Sequence, residues 1–364
     1  MKTVAFLLPN LCGGGAERVF VHLINALDRS RFRPLLILIE KKGDYLTDVA
    51  SDVTVIDLAS RRFLHAIFHL VKTLRHIKPD ILLTSHGYIS LTLALLSPFL
   101  PRTMRLIVRE ANLPSRWVTT HPLGRRLLFS FLYRILFRRL PCIVAQSAAM
   151  HSDISTFCHT PPNRIITIPN PLDVAAIEHC AFTFPSPITW PEGKKRLLAV
   201  GRLSPQKQYH HLLEAGAHLL PDTPFYLVIC GEGAERDHLQ EIINRLGLSS
   251  SVFLAGFVKN PYPLMKDADL LILSSAFEGF PNVLIEAHAC GTPTVSYDKI
   301  GGVEEIVIEG VNGLLARYGD PHNLATTIRH ALSCSWSREQ IRATAIERFA
   351  VSRIIPQWET LFSE

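Results

Sequence analysis

Three features that identify common protein classes are absent from this 364-residue sequence. No apolar run reaches the about 18 residues that a transmembrane helix needs, and the longest candidate, residues 89–100, is interrupted by Pro98. The first apolar stretch, residues 4–8, is too short for a signal peptide. The seven cysteines are scattered, without the close pairs of a zinc ribbon or a Cys-x-x-Cys redox site. We therefore expect a cytoplasmic protein with reduced thiols and no transmembrane helix.

Composition and length favour a folded chain of two domains. Hydrophobic residues make up 48% and charged residues 19% of the sequence, which excludes a disordered or low-complexity chain. The formal net charge of +6 is uneven. Residues 1–172 carry 22 basic and 10 acidic side chains (+12), and residues 173–364 carry 16 and 22 (−6). A basic half points to an anionic partner, which could be nucleic acid, a membrane surface or a phosphorylated ligand.

Short apolar runs that resemble strands alternate with helical patterns in both halves. In the first half we predict strands at residues 4–8, 34–39, 53–56, 81–84, 105–108 and 143–145, separated by helices such as 16–27, 63–76 and 123–139. In the second half the predicted strands are residues 196–200, 225–229, 252–254, 270–274 and 294–296. The sequence therefore predicts an α/β fold of two Rossmann-like parallel-sheet domains that face a central ligand cleft.

A dense group of prolines marks the boundary between the two domains. Pro169 and Pro171 enclose Asn170, and three more prolines follow at 185, 187 and 191. Because proline ends regular structure, we place the boundary near residue 170. We predict an N-terminal domain of residues 1–170 and a C-terminal domain of residues 171–345. The last segment, residues 346–364, is expected to be a helix that packs back on the N-terminal domain.

Three consecutive glycines, Gly13, Gly14 and Gly15, follow the first predicted strand and precede a helix. Glycine lets the backbone approach a phosphate closely, and a helix N-terminus presents N–H groups to it. The spacing does not match the G-x-G-x-x-G dinucleotide fingerprint, so a nicotinamide cofactor loses its main support. A phosphate-binding loop is the favoured interpretation, and a tight turn without a ligand is the alternative.

Basic residues and glycines follow two predicted strands of the second domain. Arg202 and Lys207 come after residues 196–200, where a guanidinium and an ammonium group could converge on one diphosphate. Solvated surface charges are the alternative. Gly231 lies in a glycine turn after residues 225–229, which taken alone is weak evidence.

The segment 274–293 carries the strongest signal. A strand ends, a turn at Gly279 follows, Pro281 stands where a helix would begin, and Gly291 would end it. Glu278 and Glu286 flank the start of this helix, and their carboxylates can accept hydrogen bonds from sugar or ribose hydroxyls. The amides expected to form an anion site there belong to Phe280, Asn282 and Val283. Glu286 lies among apolar positions and requires a polar partner, the alternative being a solvent-facing side chain.

These motifs make the sequence similar to the retaining glycosyltransferases of family 4, the group 1 transferases with the two-Rossmann GT-B architecture. The similarity covers nearly the whole chain, and its most specific part is the E-x7-E motif from Glu278 to Glu286. It implies that Arg202 and Lys207 bind a nucleotide diphosphate, Glu286 the ribose hydroxyls and Glu278 the donor sugar. Arg202, Lys207 and Glu278 are the candidate catalytic residues.

The same resemblance extends the donor site to loops of both domains. It implies that Gly14 and Gly15 approach the diphosphate from the N-terminal domain and that the loop at Val258 lines the base pocket. The full set of candidate donor-binding residues is Gly14, Gly15, Arg202, Lys207, Gly231, Val258, Glu278, Gly279, Phe280, Asn282, Val283 and Glu286.

The resemblance also implies an activity. A hexose or N-acetylhexosamine would pass from a nucleotide sugar, with UDP favoured, to a glycan or lipid-linked acceptor in cell-surface polysaccharide or glycolipid assembly, with retention of configuration. Arg202, Lys207 and the helix N-terminus would stabilise the leaving diphosphate, so we expect neither a metal nor a cofactor. Asp267 and Asp269 have the letters of a metal motif but precede a strand, and we interpret them as a helix-end or turn element.

One region departs from the family pattern. Many members carry a histidine near the sugar in the N-terminal domain, whereas the corresponding positions here are Arg109 and Glu110. These two residues, and His86 after another predicted strand, are candidates for acceptor binding. Each could equally be structural.

Residues 125–139 predict a basic amphipathic helix. Aromatic and aliphatic residues are interspersed with five arginines, Arg125, Arg126, Arg134, Arg138 and Arg139. Such a helix lies on an anionic bilayer surface, so we expect peripheral association with the inner face of the membrane. A second basic stretch comprises Arg61, Arg62, Lys72, Arg75 and Lys78. The alternative is a core helix whose arginine stems extend to solvent.

Three alternatives to a transferase are compatible with parts of the sequence. A nucleotide-sugar epimerase of the same architecture is one, but the Pro-Asn-Pro turn and the E-x7-E pattern favour the transferase. A nucleic-acid-binding protein would explain the basic half. However, the arginines alternate with aliphatic residues rather than forming a polar stripe with stacking aromatics, so we expect no nucleic acid partner. A catalytically silent homologue is the third alternative.

Overall fold

The computed structural model describes residues 1–12, 14–60 and 63–364, without the side chains of Phe63 and Leu64. The described chain forms two compact units. Unit 1 comprises residues 1–171 together with residues 351–364, and unit 2 comprises residues 172–350. Three residues singled out in the sequence, Gly13 of the glycine loop and Arg61 and Arg62 of the second basic stretch, lie outside the described residues.

Unit 1 is built on a parallel sheet of seven strands. The strands are β1 (Lys2–Leu8), β2 (Phe32–Leu38), β3 (Thr54–Asp57), β4 (Ile81–Ser85), β5 (Arg105–Arg109), β6 (Cys142–Ala145) and β7 (Ile165–Thr167). Their order in the sheet is β3-β2-β1-β4-β5-β6-β7. The sequence order reverses direction at β1 and β4, which makes the carboxyl ends of these strands the expected location of a ligand site.

The described residues of unit 1 form seven α-helices. They are α1 (Gly15–Ala26), α2 (Phe63–Ile77), α3 (Gly87–Leu96), α4 (Pro114–Thr119), α5 (Leu123–Leu136), α6 (Ala148–Phe157) and α14 (Val351–Ser363). Helix α14 completes the core beside α1, because Phe362 packs edge-to-face on Phe6 with ring centroids 6.4 Å apart, and Phe6 contacts Phe20 in the same way at 5.9 Å. Trp358 is buried in the same cluster.

Unit 2 contains a parallel sheet of six strands. The strands are β8 (Lys195–Val200), β9 (Phe225–Cys230), β10 (Val252–Gly256), β11 (Leu270–Leu273), β12 (Thr294–Tyr297) and β13 (Gly313–Ala316), in the order β10-β9-β8-β11-β12-β13. The helices are α7 (Val174–Thr183), α8 (Tyr209–Leu219), α9 (Arg236–Arg245), α10 (Tyr262–Asp267), α11 (Asn282–Ala289), α12 (Pro321–Ser333) and α13 (Arg338–Phe349).

The predicted α/β class with two parallel sheets is confirmed. The strand β13 was not predicted, because it is short and begins with glycine. The last helix begins at Val351 rather than at residue 346, since residues 346–349 complete α13. Within the described chain, no helix is both long enough and apolar enough to cross a membrane.

Candidate active site

Two of the predicted catalytic residues form an ion pair at the carboxyl edge of the unit 2 sheet. The Lys207 Nζ atom lies 2.6 Å from Oε1 of Glu278. Ser275 Oγ donates a hydrogen bond of 2.6 Å to the same oxygen. The carboxylate is buried, and its two partners offset the cost of removing it from water.

The two loops that carry this ion pair are joined by their backbones as well. Ala276 N donates to the Gln206 carbonyl (2.7 Å), and Gln206 Nε2 donates to the Phe277 carbonyl (2.9 Å). Ser274 Oγ donates to the carbonyl of Lys207 at 2.8 Å. The position of the lysine is therefore fixed independently of its bond to Glu278.

Gly301 holds the Glu278 peptide from the other side. Its φ of +121° lies in a region that favours glycine, and a Cβ atom built there would be 1.8 Å from the Glu278 carbonyl oxygen. Glu278 N in turn donates to the Ile300 carbonyl at 2.5 Å. A larger residue at position 301 would displace the carboxylate.

Helix α11 begins immediately after this loop. Pro281 is its N-cap and provides no side-chain cap, so the positive end of the helix dipole lies beside Glu278. Glu286 is buried on the second turn of the helix, while Asn282 and Val283 on the first turn are half-buried. Phe280 is buried against the ring of Phe349, with centroids 5.5 Å apart. The predicted residues of this motif thus lie within one loop and one helix.

Arg202 differs from Lys207. It follows β8 on the exposed side of the loop, and within the described chain its side chain joins neither Lys207 nor Glu278. Lys207 is thus paired with a carboxylate, whereas Arg202 is exposed to solvent. Exposure leaves the guanidinium accessible to a ligand at this edge.

The glycines after β8 and β9 bring two loops into close contact. A Cβ atom at Gly231 would lie 1.9 Å from the Gly201 carbonyl oxygen, and Gly231 N donates to the Gly256 carbonyl at 2.8 Å. Gly231 is thus required for packing, which accounts for its position without a ligand. Val258 follows β10 at the same edge and is half-buried against the core, while its neighbour Phe257 is 57% exposed.

In unit 1 the glycine loop lies near His86. Gly14 is the N-cap of α1, and a Cβ there would be 2.1 Å from Oε2 of Glu17. Oε1 of Glu17 lies 3.4 Å from Nε2 of His86, which has an unusual φ of +81° for a residue with a side chain. Gly15 is exposed as the first residue of α1. The structure brings the predicted phosphate-approach loop and His86 together.

Arg109 is almost completely buried, with 2% of its surface exposed. Its Nη2 donates to Oδ1 of Asn170 at 2.6 Å, and Nη1 donates to Oγ of Ser85 at 3.3 Å. Burial lowers the pKa of Arg109 to about 10, with opposing contributions from the charges of Glu110 and Glu17. The guanidinium remains protonated at neutral pH but is not presented to solvent, which favours a structural role over acceptor binding.

Glu110 is buried as well. The Tyr133 hydroxyl lies 3.5 Å from its Oε2. Burial is the main reason that the pKa of Glu110 is raised to about 8, so the carboxyl is mostly protonated at pH 7. The structure therefore favours the structural alternative for Glu110 and places only His86 among the three acceptor candidates at a partly exposed position.

Sequence reasoning missed two partners of these residues. The sequence pattern marks Asn170 only by its flanking prolines, and its contact with Arg109 joins residues that are 61 positions apart. Ser275 lies three positions before Glu278, and its hydroxyl could have been identified from that spacing. Asp269, which was interpreted as a turn element, pairs with Arg196 at 2.7 Å. No cluster of three or more metal-ligating His, Cys, Asp or Glu side chains occurs among the described residues.

Helix α5 exposes apolar side chains. Four residues spaced four apart face outward and are 71%, 64%, 60% and 37% exposed, namely Leu123, Leu127, Phe131 and Ile135. The side facing the core presents Tyr133 and Leu136. The five arginines of residues 125–139 are all exposed. The alternative of a core helix with extended arginine stems does not account for this outward apolar row.

Comparisons with known proteins agree with the motifs. Residues 182–348 match the family Glycosyl transferases group 1, and residues 13–176 match Glycosyltransferase Family 4. A relative from Campylobacter jejuni, N-acetylgalactosamine-N,N'-diacetylbacillosaminyl-diphospho-undecaprenol 4-alpha-N-acetylgalactosaminyltransferase, is 27% identical over 97% of this chain and 98% of its own. The lipopolysaccharide core biosynthesis glycosyltransferase LpsE of Rhizobium meliloti is 26% identical over 88% and 86%.

A solved structure is similar over its whole length. The crystal structure of Anabaena HepE in complex with UDP and glucose has a TM-score of 0.80 and 23% identity, covering 100% of both chains. The chain belongs to the group 1 glycosyltransferases of family 4 and has the GT-B fold. The predicted family is confirmed, and the chain is a glycosyltransferase.

Proposed function

We propose that this glycosyltransferase moves a hexose or N-acetylhexosamine from a UDP-sugar to a lipid-linked or glycan acceptor, with retention of the anomeric configuration. The observation that carries the proposal is the Lys207–Glu278 pair beside the N-terminus of α11. A half-buried cation, a buried carboxylate and a helix dipole at one point suit a ligand that combines a diphosphate with sugar hydroxyls.

Each residue of this edge has a role in the proposed donor complex. The Lys207 ammonium turns from Glu278 toward the diphosphate, and the exposed Arg202 guanidinium closes on the same group. Glu278, released from its lysine, accepts a hydrogen bond from a hydroxyl of the donor sugar. Glu286 accepts hydrogen bonds from the ribose, and the loop at Val258 lines the base pocket.

The chemistry follows from charge. As the bond between the anomeric carbon and the diphosphate oxygen breaks, negative charge develops on the diphosphate. Lys207, Arg202 and the N-terminus of α11 stabilise that charge. The leaving diphosphate accepts the proton of the acceptor hydroxyl, which attacks from the same face, so that configuration is retained. We propose that this requires no metal and no cofactor.

The choice of UDP is supported by HepE, which was solved with UDP and glucose. A thermal-shift screen of UDP-, GDP- and ADP-sugars tests it, because a ligand present at 100 times its Kd stabilises a protein by about 2.7 kcal/mol. We expect UDP-sugars to raise Tm most. Failure of every nucleotide diphosphate to raise Tm would contradict the proposed donor site.

NMR of the product would show whether the anomeric configuration is retained.

We further propose that the acceptor is lipid-linked and that α5 docks on the anionic inner face of the membrane in cell-surface polysaccharide or glycolipid assembly. The relative from Campylobacter jejuni is named for a diphospho-undecaprenol acceptor. Exposed leucines and a phenylalanine flanked by arginines match the apolar boundary and anionic headgroups of a bilayer. Leu95, near the end of α3, and Phe99, three residues after it, are also exposed apolar side chains, and α3 packs against α5.

Sedimentation with vesicles containing phosphatidylglycerol tests this docking. Phe131→Glu is expected to lower vesicle binding about tenfold, because it places a charge in the apolar row. The matched control is Phe253→Glu, an exposed phenylalanine of unit 2, which should leave binding unchanged. Equal binding by both variants and by the unchanged protein would contradict the proposal. Salt-sensitive binding of oligonucleotides instead would favour a nucleic acid partner.

A further inference from the structure

Residues 169–171 connect unit 1 to unit 2, and this segment has few backbone N–H donors. Pro169 and Pro171 have no amide hydrogen. The last sheet-like bond before them joins Ile168 N to the Ala145 carbonyl, at 2.9 Å. The first amide after them, Leu172 N, donates to the Phe349 carbonyl of unit 2 at 2.7 Å. Between these points, the side chain of Asn170 offers a polar contact to unit 1.

Asn170 is buried, and Arg109 donates to it through the shortest of the guanidinium's hydrogen bonds. Both hydrogen bonds of Arg109 go to neutral oxygens, and within the described chain its Nε has no hydrogen-bond partner. A buried cation with neutral partners and one unpaired donor is costly. An apolar residue of similar volume would fill this position at a lower cost in the free energy of folding. Packing alone therefore does not account for an arginine here.

We propose that Arg109 is a positioning residue that anchors the connecting peptide through Asn170 and so fixes where the chain leaves unit 1 during transfer. Its role in transfer rests on the proposed function, whereas the anchoring itself does not. In this proposal Arg109 acts on the backbone of unit 1 and does not contact the acceptor, which is the role for which the sequence makes it a candidate.

The position of Arg109 links the connection to the unit 1 edge. Arg109 ends β5, and its second hydrogen bond goes to Ser85, which ends β4 and directly precedes His86. One guanidinium therefore joins the carboxyl ends of two neighbouring strands to the connecting peptide. A change in the Arg109–Asn170 bond is transmitted to the backbone that carries His86.

The chain returns from unit 2 to unit 1 after Ala350, and this residue lies beside Leu172, where the chain enters unit 2. Leu172 forms a parallel bridge with Ala350, the last residue of unit 2 before α14. Only Pro171 separates this bridge from Asn170. The Arg109–Asn170 bond thus secures the unit 1 side of a connection whose unit 2 side is secured by the bridge.

Hydrogen–deuterium exchange of the unliganded full chain tests the anchor without any substrate. In Asn170→Ala the acceptor oxygen is lost, and we expect exchange at residues 172–174 to rise about tenfold. Asn170→Asp keeps an oxygen for Arg109 and should retain the exchange of the unchanged protein. The matched control is Arg105→Lys on the same strand, whose partners are the Leu361 carbonyl and Glu364. It should leave exchange at residues 172–174 unchanged.

Kinetics separate positioning from contact with the acceptor. We expect Asn170→Ala to lower kcat about tenfold and to leave the acceptor KM unchanged. Asn170→Asp should have the kcat of the unchanged protein. The double variant with Arg109→Lys should be no slower than Asn170→Ala alone. Unchanged exchange in Asn170→Ala would overturn the anchor, as would a rise in acceptor KM alone. Absence of activity in the unmodified protein would overturn the proposed function and leave the exchange result standing.

Discussion

The charged side chains at the carboxyl edges of the two sheets differ in their burial and in their hydrogen-bond partners. In unit 2, the half-buried Lys207 is paired with the buried Glu278, and Arg202 is exposed. In unit 1, Arg109 and Glu110 are both buried, and Arg109 is hydrogen-bonded to neutral groups. A partly exposed cation such as Lys207 can exchange its partner for a ligand, whereas a buried cation such as Arg109 holds the backbone around it. Similar residues at the carboxyl ends of similar strands can therefore be accessible to a ligand in one unit and buried within the fold in the other.

Substitution of Lys207 is expected to have the largest effect, because it tests the partly exposed cation of unit 2 directly. Lys207→Ala removes the cation that we propose binds the donor diphosphate, and we expect kcat to fall about 10²- to 10³-fold. The measurement is product formation from a UDP-sugar. Lys299→Ala, at an ammonium that is 79% exposed in the same unit, is the matched control and should retain activity. Full activity of Lys207→Ala would contradict the role of the pair.

Gly301→Ala tests whether the Glu278 carboxylate must be held in place. The added Cβ cannot fit against the Glu278 carbonyl, so the loop must shift, and a displacement of about 1 Å costs about 10²-fold in rate. Gly310→Ala is the control, because Gly310 also has a positive φ but has open space around its Cβ position. If both variants lose the same activity, backbone strain rather than the carboxylate position is responsible.

Glu286→Gln probes the proposed ribose contact at the same edge. The amide keeps the shape of the side chain but not its charge, and hydrogen bonds to charged groups contribute about 1.5–3 kcal/mol. We expect the Kd for UDP to rise about ten- to hundredfold, as measured by calorimetry. An unchanged affinity for UDP would show that Glu286 does not contact the nucleotide.

The smallest effect concerns Glu110 and depends on pH. Burial raises its pKa to about 8 from the ordinary 4.5, so between these values the unfolded chain loses a proton that the folded chain keeps. Stability therefore falls as pH rises through this window and levels off above pH 8. Glu110→Gln removes the titration, and we expect its Tm relative to the unchanged protein to be about 3 °C higher at pH 9 than at pH 5. A pH-independent difference would show that Glu110 is ionised in the folded protein.

Much of unit 2 could be predicted from the sequence, because its functional signal is local. The spacing of Glu278 and Glu286 and the Pro281 helix start lie within one loop and one helix, where neighbours in sequence are neighbours in space. Lys207 was also predicted, although its pairing with Glu278 depends on two loops that are distant in sequence. That pairing follows from the order of β8 and β11 in the sheet, which short motifs do not specify.

Unit 1 was less predictable for a physical reason. Whether Arg109 faces solvent or the interior depends on what covers the end of β5, and its partner Asn170 lies 61 positions later in sequence. Similarly, the composition of α5 allowed either a core helix or a surface helix, and only the packing of Tyr133 and Leu136 shows which side faces outward. The charge of the region was visible in the sequence, but its burial was not.

The discontinuity of unit 1 has a consequence for biosynthesis. Trp358 and Phe362 belong to its hydrophobic core, yet they are translated after the whole of unit 2. On the ribosome, unit 2 is a continuous segment that can fold as soon as it has emerged, whereas residues 1–171 lack α14 until residues 351–364 have been synthesised. A nascent chain that ends before residue 351 therefore lacks the Phe362 ring that packs on Phe6, and such incompletely packed intermediates are prone to aggregate.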